Sequence, residues 1–143
     1  MAVTISYTSN NFTPGTDTTQ ATQVLRGKLV FSGSYPGTPG DTLNFTTHAV
    51  GVANPLVSNQ RPLSVTFWEE PPSGTAVAGV ASLMSYRNVS AKPTAANGVV
   101  TIVTGATISG TTVTAGNELG SGAYSATITG ATVLFEAIFV LGR

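Results

Sequence analysis

The sequence predicts an all-β fold: a single β-sandwich, jelly-roll-like, of about eight antiparallel strands with an extended N-terminal arm. Three observations predict it. Apolar and polar residues alternate with a period of two through most of the chain, the signature of half-buried strands. Turn-forming clusters such as "TPGTD", "SYPGTPGD", "EEPPSG" and "AANG" recur at intervals of about eight to fifteen residues, the spacing of short strands in a sandwich or barrel. No window of about twelve residues keeps a helical apolar stripe without Gly, Pro or a Thr cluster intervening. A short helical turn is expected at most within 48–58 or 76–84.

Each element follows in order. Residues 1–20 hold one charge, Asp17, and few core-grade side chains. They are expected to form an extended arm that lies over a neighbouring subunit, so that deleting residues 1–12 leaves the domain, residues 21–143, folded. In "QVLRGKLVF" Leu25, Gly27, Leu29 and Phe31 share one face, with Arg26 and Lys28 on the other. The "SYPGTPGD" turn that follows is stiff, because Pro36 and Pro39 each fix φ and lower the entropy cost of ordering it. In "PLSVTFWEE" Leu63, Val65 and Phe67 alternate with Ser64, Thr66 and Trp68. Segments 98–104, 106–108, 111–115, 124–129 and 132–141 read as one meander of β-branched runs, with Asn97-Gly98 as a hairpin turn. The last strand, "ATVLFEAIFVL", places Val133, Phe135, Ala137 and Phe139 on one face. Leu134, Ile138 and Val140 stand on the other with one charge, Glu136. A strand with one wet face alternates cleanly, whereas this one is apolar on both sides. Either two layers cover it or another chain covers one face.

Composition narrows the function. Only 8% of the 143 residues are charged, against roughly 25% in an average soluble domain. Thr (23) and Ser (13) fill that place, so the surface is largely hydroxyl and backbone. Six basic and six acidic side chains cancel, and the basic ones are scattered along the chain. Nucleic-acid binding needs a clustered positive field, so no nucleic-acid partner is expected. Low net charge favours association, which points to a protein that works assembled, as a homo-oligomer. With no cysteine there is neither a disulfide framework nor a thiolate metal site. No run of eighteen apolar residues spans a bilayer, and no basic-then-apolar leader opens the chain. No membrane partner and synthesis in a cytoplasm are expected.

Catalysis needs convergent titratable groups, and none converge here. His48 is the sole histidine and has no acid beside it, so zinc, with three or four ligands, is not expected. Glu69 and Glu70 are adjacent on a strand and therefore point to opposite faces, as charges flanking a loop. Asp17 and Asp41 each sit in a Gly- and Thr-rich turn, where a carboxylate caps backbone N–H groups. One carboxylate per turn is too few for calcium. "SGSYPG" lacks the strand–turn–helix context of a serine nucleophile, and "GNELGSG" lacks the Lys and following helix of a phosphate loop. The expectation is a non-enzyme without cofactor or metal.

What remains is surface for contact. Trp68 faces away from Leu63, Val65 and Phe67, either under a loop such as 69–75 or as an interface anchor. Leu134, Ile138 and Val140 supply the second apolar face, and Tyr35 and Pro36 the pre-ordered turn. Tyr7 and Phe12 add aromatic groups in the arm. These eight residues are the candidate capsid or subunit interface. Tyr7, Phe12, Tyr35, Tyr86 and Tyr124 serve equally well as plugs at strand ends.

The order of the pieces resembles a loose group of small tailed-phage virion proteins, often encoded close to the major capsid protein. A strand ending in Phe31 leads into Ser34, Tyr35, Pro36, Gly37, Gly40 and Leu43, and the chain closes on an apolar strand through Phe139 to Arg143. The likeness is best over 25–46 and the C-terminus, and holds in the middle by pattern only. The N-terminal arm departs from it, being rich in Thr and Asn. The resemblance implies a head decoration or cement protein on the outer surface of the virion head. Its partner would be the major capsid protein, its role to bridge capsid subunits, and its oligomer a homotrimer at local three-fold positions. A tail, neck or head-fibre component is the alternative of the same type. A carbohydrate-binding β-sandwich is the alternative of another class, with Trp68 as its platform.

Overall fold

The alternating segments form the ladders that organise the protein. The computed structural model describes residues 3–13, 21–46, 60–71, 78–105, 107–109, 111–114 and 116–140. Among them are eleven strands, all antiparallel in their pairing, one 3-10 turn at Ala81–Leu83 and one short helix, α1, at Ala126–Gly130. The fold is all-β.

Four strands make the larger sheet: β1 (Val3–Thr13), β2 (Thr22–Phe31), β11 (Thr132–Val140) and β5 (Ser64–Glu70), in that order. β11 is therefore central, bonded to β2 on one side and to β5 on the other. Its inward residues Val133, Phe135, Ala137 and Phe139 are fully buried, as alternation requires. Three strands make the second sheet, β4 (Asp41–Leu43), β7 (Gly98–Ile102) and β6 (Met84–Asn88). β7 is buried along its whole length. Phe45 joins the two sheets: its ring lies 5.7 Å from those of Phe135 and Phe139 and 5.7 Å from that of Tyr86. At the margins β4 runs beside β1, and β6 beside β5. Two small pairs complete the set: β3 (Ser34–Tyr35) with β10 (Gly122–Ala123), and β8 (Thr107–Ser109) with β9 (Thr112–Thr114).

Several expectations are corrected. The arm is not separate over Val3–Thr13: these residues form edge strand β1, paired along β2 with one register shift between Tyr7 and Ser9, and Val3 is buried. Their hydroxyl-rich side chains suit an edge strand, which needs few core residues. The C-terminal third is not one meander, because β7, β8–β9 and β11 belong to three different sheets. Residues 126–130 are helical, not extended: the Ser125 hydroxyl accepts from Ile128 N, and Ile128 turns into the core. Asn97-Gly98 is not a two-residue hairpin turn. Asn97 instead ties a longer loop, accepting from Thr94 N at 2.8 Å and donating to the Lys92 carbonyl at 3.0 Å. The helical turn allowed within 76–84 is present as Ala81–Leu83, while 48–58 lies outside the described residues.

Candidate interaction surface

The "FSGSYPGTPGDTLNFT" turn, residues 31–46, is built inward. Gly40 has φ +113°, and a Cβ there would stand 2.6 Å from the Val100 carbonyl oxygen, so only glycine lets the turn lie against β7. Gly40 N donates to the Gly37 carbonyl at 2.7 Å, around a cis Thr38–Pro39 peptide bond. Tyr35 is 1% exposed, and its hydroxyl donates to Glu118 Oε1 at 2.7 Å. Thr38 donates to the other oxygen of Glu118, and Arg87 to the Pro39 carbonyl at 2.8 Å. Tyr35 is therefore a core plug and is withdrawn from the expected contact surface. Pro36 stays exposed.

Asp41 is also corrected. It does not cap a turn but lies buried in β4, where it accepts the Tyr124 hydroxyl at 2.8 Å. Tyr124 packs edge-on against Phe31 and Tyr35, with ring centroids 5.4 and 5.9 Å away. Burial first, and then the Asp41 hydrogen bond, raises the Tyr124 hydroxyl far above the usual tyrosine value. Burial and the Glu118 bond push Tyr35 up to about 12, and burial alone does the same for Tyr86. Glu69 is more than a loop-flanking charge, since its two oxygens accept from Ala78 N and Ala81 N and anchor the 3-10 turn. These carboxylates are structural. Among the described residues no group of three or more His, Cys, Asp or Glu side chains is arranged to hold a metal. His48 and Asp17 lie outside those residues.

Four of the expected contact residues, Trp68, Leu134, Ile138 and Val140, fall on one face of the larger sheet. Strand register sets Trp68 opposite Leu134, and Leu134 opposite Lys28. The next row is Thr66, Glu136 and Arg26, and the one after it Ser64, Ile138 and Val24. Val140 follows beside Thr22. Trp68 is 40% exposed and Val30, further along the same face of β2, is 42% exposed. Leu134, Ile138, Val140 and Val24 are half-buried and stand outside the core cluster. The outer face thus sets Trp68, Leu134, Ile138, Val140, Val24 and Val30 among Lys28, Thr66, Ser64 and Thr22, around the ion pair from Arg26 Nε to Glu136 Oε2 at 2.6 Å. Val24, Val30 and Arg26 were not among the expected contacts. Alternation put them outward, but only the β2–β11 register makes them neighbours of Leu134 and Ile138. Tyr7 and Phe12 lie on β1, with side chains outside the described set. Leu63, expected inward with Val65 and Phe67, is 56% exposed, because it precedes β5 where the chain leaves the core.

No protein-family model, curated protein or solved structure matches the chain.

Proposed function

We propose that this chain is a non-enzymatic structural subunit of a tailed-phage virion, a head decoration protein that cements the outer capsid lattice by bridging capsid subunits as a homotrimer. The observation that carries the reading is the outer face of the β1–β2–β11–β5 sheet. A central strand with Leu134, Ile138 and Val140 left half-exposed, beside an exposed Trp68, is a surface suited to burial against another chain. The two larger sheets, sharing one core and adjoining at both margins, are read as the layers of a jelly-roll-like sandwich. The resemblance of the 25–46 segment and the closing strand to virion proteins supports the assignment. Attachment follows from additive burial: an interface of roughly 1,600 Å² repeated over a closed lattice gains strongly from multivalency.

Titration of purified protein onto mature undecorated heads, followed by sedimentation, tests it. Saturation at hundreds of copies per head, absent on the precursor shell, is the expected result. Saturation at about a dozen copies reassigns the chain to the neck or tail, and no binding removes the virion role. One observation favours a second reading. Trp68 stands exposed with Thr66 and Glu70 on its own strand face, as a sugar platform requires. That reading predicts glycan binding abolished by Trp68→Ala.

A further inference from the structure

The ion pair of the outer face lies at its centre. β2 and β11 are the two inner strands of the larger sheet. The outward residues of β2 are Thr22, Val24, Arg26, Lys28 and Val30, and those of β11 are Thr132, Leu134, Glu136, Ile138 and Val140. Arg26 and Glu136 are each the third of five, directly opposite one another in the register. They therefore meet halfway along the strands and on the midline of the sheet, joined from Nε to Oε2 at 2.6 Å. Every outward residue of β2, β11 and β5 is half-buried or exposed, so no packed layer of the described residues seals this face.

A central pair of opposite charges on neighbouring strands is complementary to itself. A two-fold axis running along the strands, above the line between β2 and β11, lays β2 of one chain over β11 of a second copy and β1 over β5. Arg26 then meets the partner's Glu136 and Glu136 meets the partner's Arg26, so each carboxylate gains a second guanidinium as it loses water. By the same register Val24 meets the partner's Ile138, and the stem of Lys28 covers the partner's Leu134. Aligned sheets pack about 10 Å apart at an angle near −30°. That angle displaces the strand ends most and the centre least, so the crossed charges stay together. A two-fold axis across the strands would instead set Arg26 on the partner's Arg26 and Glu136 on the partner's Glu136. Charge therefore selects the first orientation. β11 is nine residues long, about 30 Å, and four strands are about 19 Å wide. The pair would cover roughly 1,100 Å² in all, near the lower bound for a specific interface.

We propose that the outer face pairs with a second copy of this chain across a two-fold axis, with Arg26 and Glu136 crossed over the same two residues of the partner. The inference rests on the reading of this face as an interface, given above, and names its occupant. Such a contact is isologous and closes on two chains, so a three-fold assembly joins its chains through other surfaces.

The test is sedimentation equilibrium of the purified chain at up to about 100 μM, a range that suits the weak affinity expected of so small an interface. An assembly with an even number of chains is expected. Arg26→Glu leaves only acids at the centre of the pair and Glu136→Arg only bases, so each alone should weaken association about a hundredfold and halve the assembly. Mixed in equal amounts, the two variants should associate with each other, because one face is then negative where the other is positive. Val24→Asp, which keeps the ion pair, should also halve the assembly by setting a lone carboxylate against the partner's Ile138, and it serves as the test if a charge reversal fails to fold. A wild type that stays monomeric or trimeric overturns the proposal. So does a folded variant that self-associates like the wild type, or a pair of folded charge reversals that do not associate when mixed. Head binding by a chain that is monomeric or trimeric on its own would overturn this contact and leave the proposed function standing; paired chains that do not bind heads would do the opposite.

Discussion

Raising the pH should unfold this protein through its tyrosines. Three of the four, Tyr35, Tyr86 and Tyr124, hold their protons more tightly when folded than the ordinary value near 10. Below about pH 10 they are neutral in both states and add no pH dependence. Above it the unfolded chain releases protons that the folded chain keeps. The unfolded state then binds fewer protons, and stability falls as pH rises. Each group costs about 1.4 kcal/mol per pH unit until its folded value is reached, near 12 for Tyr35 and Tyr86 and higher for Tyr124. At pH 11 the three together remove about 4 kcal/mol, a large part of the 5–15 kcal/mol typical of a domain. Urea unfolding followed by circular dichroism from about pH 8 to about pH 11 measures the slope, and tyrosinate absorbance under the same conditions reports ionisation. Tyr124→Phe should lower stability at neutral pH by about 1–3 kcal/mol, because Asp41 loses its donor, yet flatten the alkaline slope by about a third. Folded protein that develops the absorbance of more than one tyrosinate per chain below about pH 11, with its strand signal intact, would refute the reasoning.

Two further outcomes follow from the geometry. Gly40→Ala should destabilise by about 1–3 kcal/mol or more, since it combines a positive φ with a Cβ driven into the Val100 carbonyl; thermal denaturation measures it, and an unchanged Tm would show that the turn gives way. Deleting residues 1–12 should destabilise the domain rather than merely weaken attachment, because it strips most of β1 from β2 and removes buried Val3; a truncated chain with an unchanged urea midpoint would show that β1 is dispensable.

The outer face was legible before the fold because side-chain direction in a strand is local. Leu134, Ile138, Val140 and Trp68 were placed outward by counting in twos, and the register put them side by side. The nearness of Arg61 and Arg87 was not legible: they are far apart in sequence, and only the fold brings the segment before β5 and the end of β6 to one hollow. Nor did "ATITG" announce a helix: its β-branched residues favour a strand, and the Ser125 cap with Ile128 buried against the core outweighed them.

The sequence by itself therefore determined the class of fold and the inward and outward sides of β2, β5 and β11. Those properties arise from the pleat and from residue chemistry, which need only near neighbours. The tertiary structure alone decided that Asp41 and Glu118 serve buried tyrosines, that Tyr35 is a core plug and that Val3–Thr13 is a sheet edge. Each of these depends on a partner distant in the chain, 83 residues away for both tyrosine–carboxylate bonds, and pattern carries no record of such pairings.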